Sequence, residues 1–144
     1  MTIERTTIPT ILVCNIRSLA PKIDELGCVI NLNSADVICV TETWLSEEIS
    51  DSYVSLANFS LFREDRATRG GAIAMYVKSI QCKILDISKP LHMITEAMWI
   101  QLRHTRLPRQ ISSILMGTIY HPPRATADDN NMLQDMTIFR ILCY

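Results

Sequence analysis

Two apolar runs constrain this chain more than anything else in it. Residues 11–16 (ILVCNI) and 37–41 (VICVT) are short, rich in β-branched side chains and free of charge. Between them Ile23, Leu26 and Ile30 recur at helical spacing, so the order reads strand, helix, strand. Ser18 is placed to cap the helix, Pro21 suits a first turn whose N–H has no partner anyway, and NLNSAD ends it. A unit of this kind is the outline of a βαβ crossover, which sets two strands side by side and directs both carboxyl ends to one edge.

After residue 45 the rhythm changes. Strand-like segments at 59–63, 72–77, 82–85, 97–102 and 113–120 are joined by short polar connections without helical period, which implies a mostly antiparallel sheet. Met98, Ile100 and Leu102 alternate with Trp99, Gln101 and Arg103, the pattern of a strand with one face in a core. RHTRLPRQ reads as a hairpin loop, and residues 130–144 as a last helix with Met132, Leu133, Met136 and Phe139 on one face.

With 48% hydrophobic and 20% charged residues over 144 positions, the chain has enough apolar material for one globular domain. Its formal net charge of -1 excludes a general affinity for polyanions, so any such site must be local. No apolar run approaches the length of a membrane span. Cys14, Cys28, Cys39, Cys82 and Cys143 form no C-x-x-C pair, and three of them sit in apolar runs. That pattern points to reduced, structural thiols and, with no export signal, to an intracellular protein, nuclear or cytoplasmic. His92, His104 and His121 lack the spacing of zinc ligands.

The chemistry is expected beyond the carboxyl ends of the strands, where side chains leave the core on rigid backbone. Asn15, Glu42 and Tyr120 each stand at such an end. A lone carboxylate there is as readily a helix cap or a surface residue, and Tyr120 as readily an aromatic closing the core. Arg63, Arg66 and Arg69, beside Gly70 and Gly71, form either a loop that touches a phosphate backbone or a solvated turn with Glu64 and Asp65 pairing locally. For Arg103, Arg106 and Arg109 the solvated turn is the simpler reading.

At these residues the chain resembles a family. NIRSLAPKIDEL, ADVICVTETWL, FREDRATRGGAIAMYV, EAMWIQL and LMGTIYHPP occur in the order seen in the endonuclease/exonuclease/phosphatase superfamily. They are most similar to the endonuclease domain that opens the polyprotein of non-LTR (LINE-type) retrotransposons. The resemblance covers residues 11–131 and implies an α/β fold, half of a four-layered, deoxyribonuclease I-like sandwich with a mixed, mostly antiparallel sheet and flanking helices.

It also implies a Mg²⁺-dependent phosphodiesterase that nicks DNA. Glu42 then holds the divalent cation, Asn15 orients metal and phosphate, and Tyr120 donates to charge that develops in the transition state. Arg17, Arg66 and His121 become the phosphate or DNA contacts. Arg17 stands where repair-type relatives carry an acid and where the retroelement branch commonly has arginine; His121 stands where that branch usually has arginine. The family's later Gly-Asp-Phe-Asn-like segment and Asp-His pair are not in the sequence. The resemblance therefore implies a single, C-terminally truncated domain, inactive alone. On that reading it has little more than one sheet, an uncovered inner face and marginal stability. A non-catalytic binding remnant, or a phosphatase acting on another phosphate ester, are the rival readings.

Overall fold

The computed structural model describes residues 9–67, 70–88, 96–120 and the backbone of 141–143. It contains β1 (Ile11–Asn15), α1 (Ile23–Asn33), β2 (Val37–Thr41), β3 (Phe59–Glu64), β4 (Ile73–Lys78), β5 (Cys82–Ser88), β6 (Glu96–His104), β7 (Ile114–Tyr120) and β8 (Ile141–Cys143). β1 and β2 pair in parallel, Ile11 beside Val37 and Asn15 beside Thr41. The crossover expected from the sequence is therefore present, and Asn15 is brought level with the residue that precedes Glu42.

The strands form two four-stranded sheets, ordered β1-β2-β4-β3 and β5-β6-β7-β8. Every pairing other than β1 with β2 is antiparallel. Alternation decides which residues go where. Val37, Cys39, Ile73, Met75 and Val77 project from the first sheet onto Met98, Ile100, Leu102, Ile114 and Met116 of the second, forming one buried core. Their neighbours Ile38, Val40, Ala74 and Tyr76 project the other way, onto Leu26 and Ile30 of α1. The described residues thus make three layers, helix on sheet on sheet.

This corrects the expectation of little more than one sheet with a bare inner face. The inner face of the first sheet is covered by the second: Val37, Cys39, Ile73 and Met75 are all fully buried. At roughly 1.5–3 kcal/mol for each large apolar side chain buried, the closure removes the argument for marginal stability.

Two further expectations change. Ser18 does not cap a helix. It lies at φ 77 before a 3-10 turn (Ala20–Lys22) whose N-cap is Leu19, with Pro21 in the first turn, and α1 follows directly with no side-chain cap bond. The Ser18 N–H is already committed to the Glu42 carbonyl at 2.9 Å, so its backbone serves the site rather than the helix. Residues 141–143 are a strand paired with β7, not helix; residues 130–140 of the expected helix lie outside the described residues.

The thiols behave as expected. Cys14, Cys28, Cys39 and Cys82 are free, and burial pushes the thiols of Cys14, Cys39 and Cys82 up to about 11. They pack as small hydrophobes.

Candidate functional site

Three loops meet at the carboxyl ends of β1 and β2, and their backbones extend the sheet irregularly. Ile16 and Leu19 donate N–H bonds to the carbonyls of Thr41 and Thr43, and Ser18 donates to that of Glu42. From the other side, Thr43 N–H bonds to Ala72 O at 3.2 Å and Trp44 N–H to Gly71 O at 3.1 Å. Left-handed backbone concentrates here: Arg17, Ser18, Glu42, Trp44 and Ala72 all have positive φ, as do Gly70 and Gly71. Each non-glycine residue in that region costs on the order of 1 kcal/mol, and the mutual hydrogen bonds over-determine the strained path.

The strained turn carries Glu42 out of a fully buried strand and leaves its side chain nearly buried, 8% exposed. Two neutral donors hold one of its oxygens. Asn15 Nδ2 donates to Oε1 at 3.3 Å, and the Tyr120 hydroxyl donates to the same oxygen at 3.1 Å. The other oxygen, Oε2, lies 3.8 Å from Arg17 Nε. That distance is too long for a hydrogen bond, and the Arg17 side chain is 71% exposed, so this cation screens the carboxylate weakly. Asn15, Glu42 and Tyr120, separate in sequence and drawn from both sheets, thus share one carboxylate.

Arg66 is not part of that cluster. Its Nε lies 3.3 Å from Glu96 Oε1, and the other Glu96 oxygen accepts the Ala72 N–H at 2.5 Å. Glu96 faces Tyr120 directly across the β6–β7 ladder. It therefore ties the 70–72 loop, and through it residues 43 and 44, to the strand that carries Tyr120. Burial raises the Glu96 carboxyl, while the Ala72 N–H and Arg66 oppose the rise. Gly71 fits because it has no side chain: a Cβ there would stand 2.8 Å from Glu96 Oε1 and 2.9 Å from Arg66 Nη1, at φ +68. Sequence reasoning missed Glu96. The available signal was a carboxylate opening a strand whose following residues alternate cleanly.

Arg63 takes the local-pairing role. It bonds Asp65, Asp51 at 2.9 Å and the carbonyls of Ser46 and Ile49, and its side chain is largely buried. Arg69 and His121 lie outside the described residues. His104, the histidine that is described, sits at the opposite pole.

Among the described residues no group of three or more His, Cys, Asp or Glu is arranged to hold a metal, and Glu42 is the carboxylate the strained turn presents. The donor set nonetheless suits a hard cation. With the Asn15 amide N–H₂ turned to Glu42, its carbonyl oxygen remains as an acceptor, and among the described residues Glu42 Oε2 has no hydrogen-bond donor on it. Mg²⁺ is held by one or two carboxylates with waters and substrate phosphate making up the rest, so one carboxylate and one amide oxygen meet its needs.

Scans of the sequence against protein-family models and against curated proteins return no match. Solved structures do match. Humanized TDP2 from D. rerio superposes with a TM-score of 0.60 at 14% identity over 86% of this chain and 50% of that one. D. rerio TDP2 complexed with a single strand DNA product gives 0.58 at 14% identity over 81% and 47%. The human Nocturnin catalytic domain with bound sulfate gives 0.57 at 14% over 81% and 51%. ANGEL2, a 2′,3′-cyclic phosphatase, gives 0.55 at 13% over 78% and 40%. These neighbours belong to the endonuclease/exonuclease/phosphatase superfamily. At such identities the likeness is one of fold. The chain has the deoxyribonuclease I-like architecture, and it spans about half the length of the structures it matches.

Proposed function

We propose that this chain carries the first part of a metal-dependent phosphodiesterase site that acts on DNA, of the kind that nicks one strand in retroelement endonucleases. The observation that carries the reading is the convergence of Asn15, Glu42 and Tyr120 on one nearly buried carboxylate at a strained strand end. Phosphoester chemistry draws support from the neighbours, one complexed with a single strand DNA product and another a 2′,3′-cyclic phosphatase.

In this reading Glu42 and the Asn15 carbonyl hold Mg²⁺, which when bound supplies positive charge to a phosphate oxygen. The chain's own residues do the positioning. The Asn15 amide and the Tyr120 hydroxyl fix the rotamer of Glu42, and the Tyr120 O–H stands ready to turn from the carboxylate to a phosphate oxygen as negative charge grows there. Arg17, exposed beside Glu42, supplies a second contact for the phosphate. Arg66 acts one step removed, by setting the 70–72 loop through Glu96.

The described site holds no histidine and no second carboxylate beside Glu42, so a proton acceptor for the attacking water has to come from elsewhere. Half-length coverage of the neighbours favours a second reading on the same ground: a phosphate-binding module that becomes catalytic only with a complementary segment.

Nicking of supercoiled plasmid by the purified chain in Mg²⁺, beside Glu42→Ala and an EDTA control, tests the proposal. Any nicking is expected to need both the metal and Glu42, with the variant at least about 100-fold slower. Nicking that survives Glu42→Ala would overturn the assignment. No nicking from a folded sample that still binds DNA would leave the binding-module reading.

A further inference from the structure

A second polar feature lies at the far end of the same strands, roughly 20 Å from Glu42 by the rise of β2. There the 79–82 turn and the 103–107 segment border an open pocket of about 410 Å³, lined among others by Ser79, Gln81, Lys83, Arg103 and Thr105. Among the described residues no acidic one lines it. Lys83 and Arg103 stand directly opposite each other across the β5–β6 ladder. Like charges in that relation disfavour the pairing. Among the described residues neither has an ion-pair or hydrogen-bonded partner.

Two carboxylates in the neighbourhood make no pair with them: Asp86, opposite Gln101 on the same ladder, accepts the Ile87 N–H at 2.9 Å, and Asp36 is committed elsewhere. Asp36 is 1% exposed, and its Oδ2 already accepts from Arg106 Nη2 at 2.7 Å and Thr10 N–H at 2.9 Å, with His104 Nε2 at 3.5 Å. Lys78 ends β4 beside the same pole, its N–H bonded to the Asp36 carbonyl at 2.9 Å. A chain whose net charge is -1 thus gathers uncompensated positive charge at one end, around a pocket that also offers the hydroxyls of Ser79 and Thr105.

We infer that this pocket is a phosphate-binding site, separate from the Glu42 site, in which one phosphate group bridges Lys83 and Arg103. An oxyanion converts the repulsion across the ladder into two charge-assisted contacts. The planar fork of Arg103 and the point charge of Lys83 are both groups that bind phosphate oxygens. The phosphate can come from a nucleic-acid backbone or from free orthophosphate.

Amide chemical shifts of the whole chain test this independently of any nicking. Orthophosphate is titrated against sodium chloride at matched ionic strength. A short single-stranded oligodeoxynucleotide is then titrated in the Glu42→Gln background. The expected result is a saturable shift centred on residues 83 and 103–105 that chloride does not produce. Affinity should be weakened roughly tenfold or more in Lys83→Gln/Arg103→Gln. Lys83→Glu, which places opposite charges across the ladder, should raise the Tm without phosphate and abolish the phosphate response, so the proposal does not hang on the double variant's folding. A response to orthophosphate assigns the site to the free ion, and a response to the oligonucleotide alone assigns it to a nucleic-acid strand; both support a phosphate site. Equal responses to chloride and phosphate, or affinity unchanged in the double variant, would overturn it.

Discussion

Each end of β2 carries one acidic side chain at low exposure, and the two are treated in opposite ways. Asp36, just before the strand, is charge-paired: Arg106 neutralises it, Thr10 and His104 face the same oxygen, and the strands around it are regular. Glu42, just after the strand, sits on left-handed backbone. It is held by an amide and a phenol that bring no charge, with its nearest cation distant and exposed. A buried carboxylate that is paired with a close cation fastens the two sheets together. One oriented by neutral donors, with an oxygen still open, retains the capacity to take a cation. On the proposed reading, Glu42 is the acid of the chemistry and Asp36 that of the fold.

The largest expected effect separates them by stability. Asp36→Asn removes the charge that Arg106 and His104 face and should cost about 2–3 kcal/mol in denaturant unfolding. Glu42→Gln keeps an acceptor for Asn15 and Tyr120 and should cost less than about 1 kcal/mol. A larger loss for Glu42→Gln than for Asp36→Asn would reverse the assignment of roles.

A smaller effect follows from His104. Burial lowers this imidazole below its ordinary 6.5, with Asp36 opposing the shift. Its Nδ1 accepts the Arg106 N–H at 3.1 Å, which leaves the proton on Nε2 toward Asp36. The unfolded chain therefore takes up a proton at higher pH than the folded one. Stability should be full above about 6.5, fall as the pH drops below it, and level off once the folded-state value is passed. In His104→Gln that part of the pH dependence should flatten; an unchanged slope would mean that the polar clamp at this pole does not titrate.

Much of the fold was legible because alternation is local. Met98, Ile100 and Leu102 announced their buried face, and the unbroken apolar run 37–41 announced a strand, which the structure buries on both sides. Alternation states that a face is covered without stating by what, and so the second sheet's closure over Val37 and Met75 was not anticipated. Ser18 was misread for a related reason. Its side chain suits a helix cap, but the pull on its backbone comes from the Glu42 carbonyl, distant in sequence.

In the site, strand-end position singled out Asn15, Glu42 and Tyr120, and the structure brings those three together. Glu96 escaped because its work is to accept the Ala72 N–H and pair with Arg66 across sequence gaps that carry no periodic signal. Asp36 escaped because its three partners come from the chain's start and from the end of β6.

The contrast between the two acids is tested most directly by Mn²⁺, a paramagnetic stand-in for Mg²⁺, added in small amounts to the ¹⁵N-labelled chain. Signal broadening should centre on residues 15–17, 41–44 and 120, spare residues 35–37 and 104–106, and disappear in Glu42→Gln. Broadening that is absent, equal at the two poles, or unaffected by Glu42→Gln would contradict the claim that the strained end of β2 holds the cation.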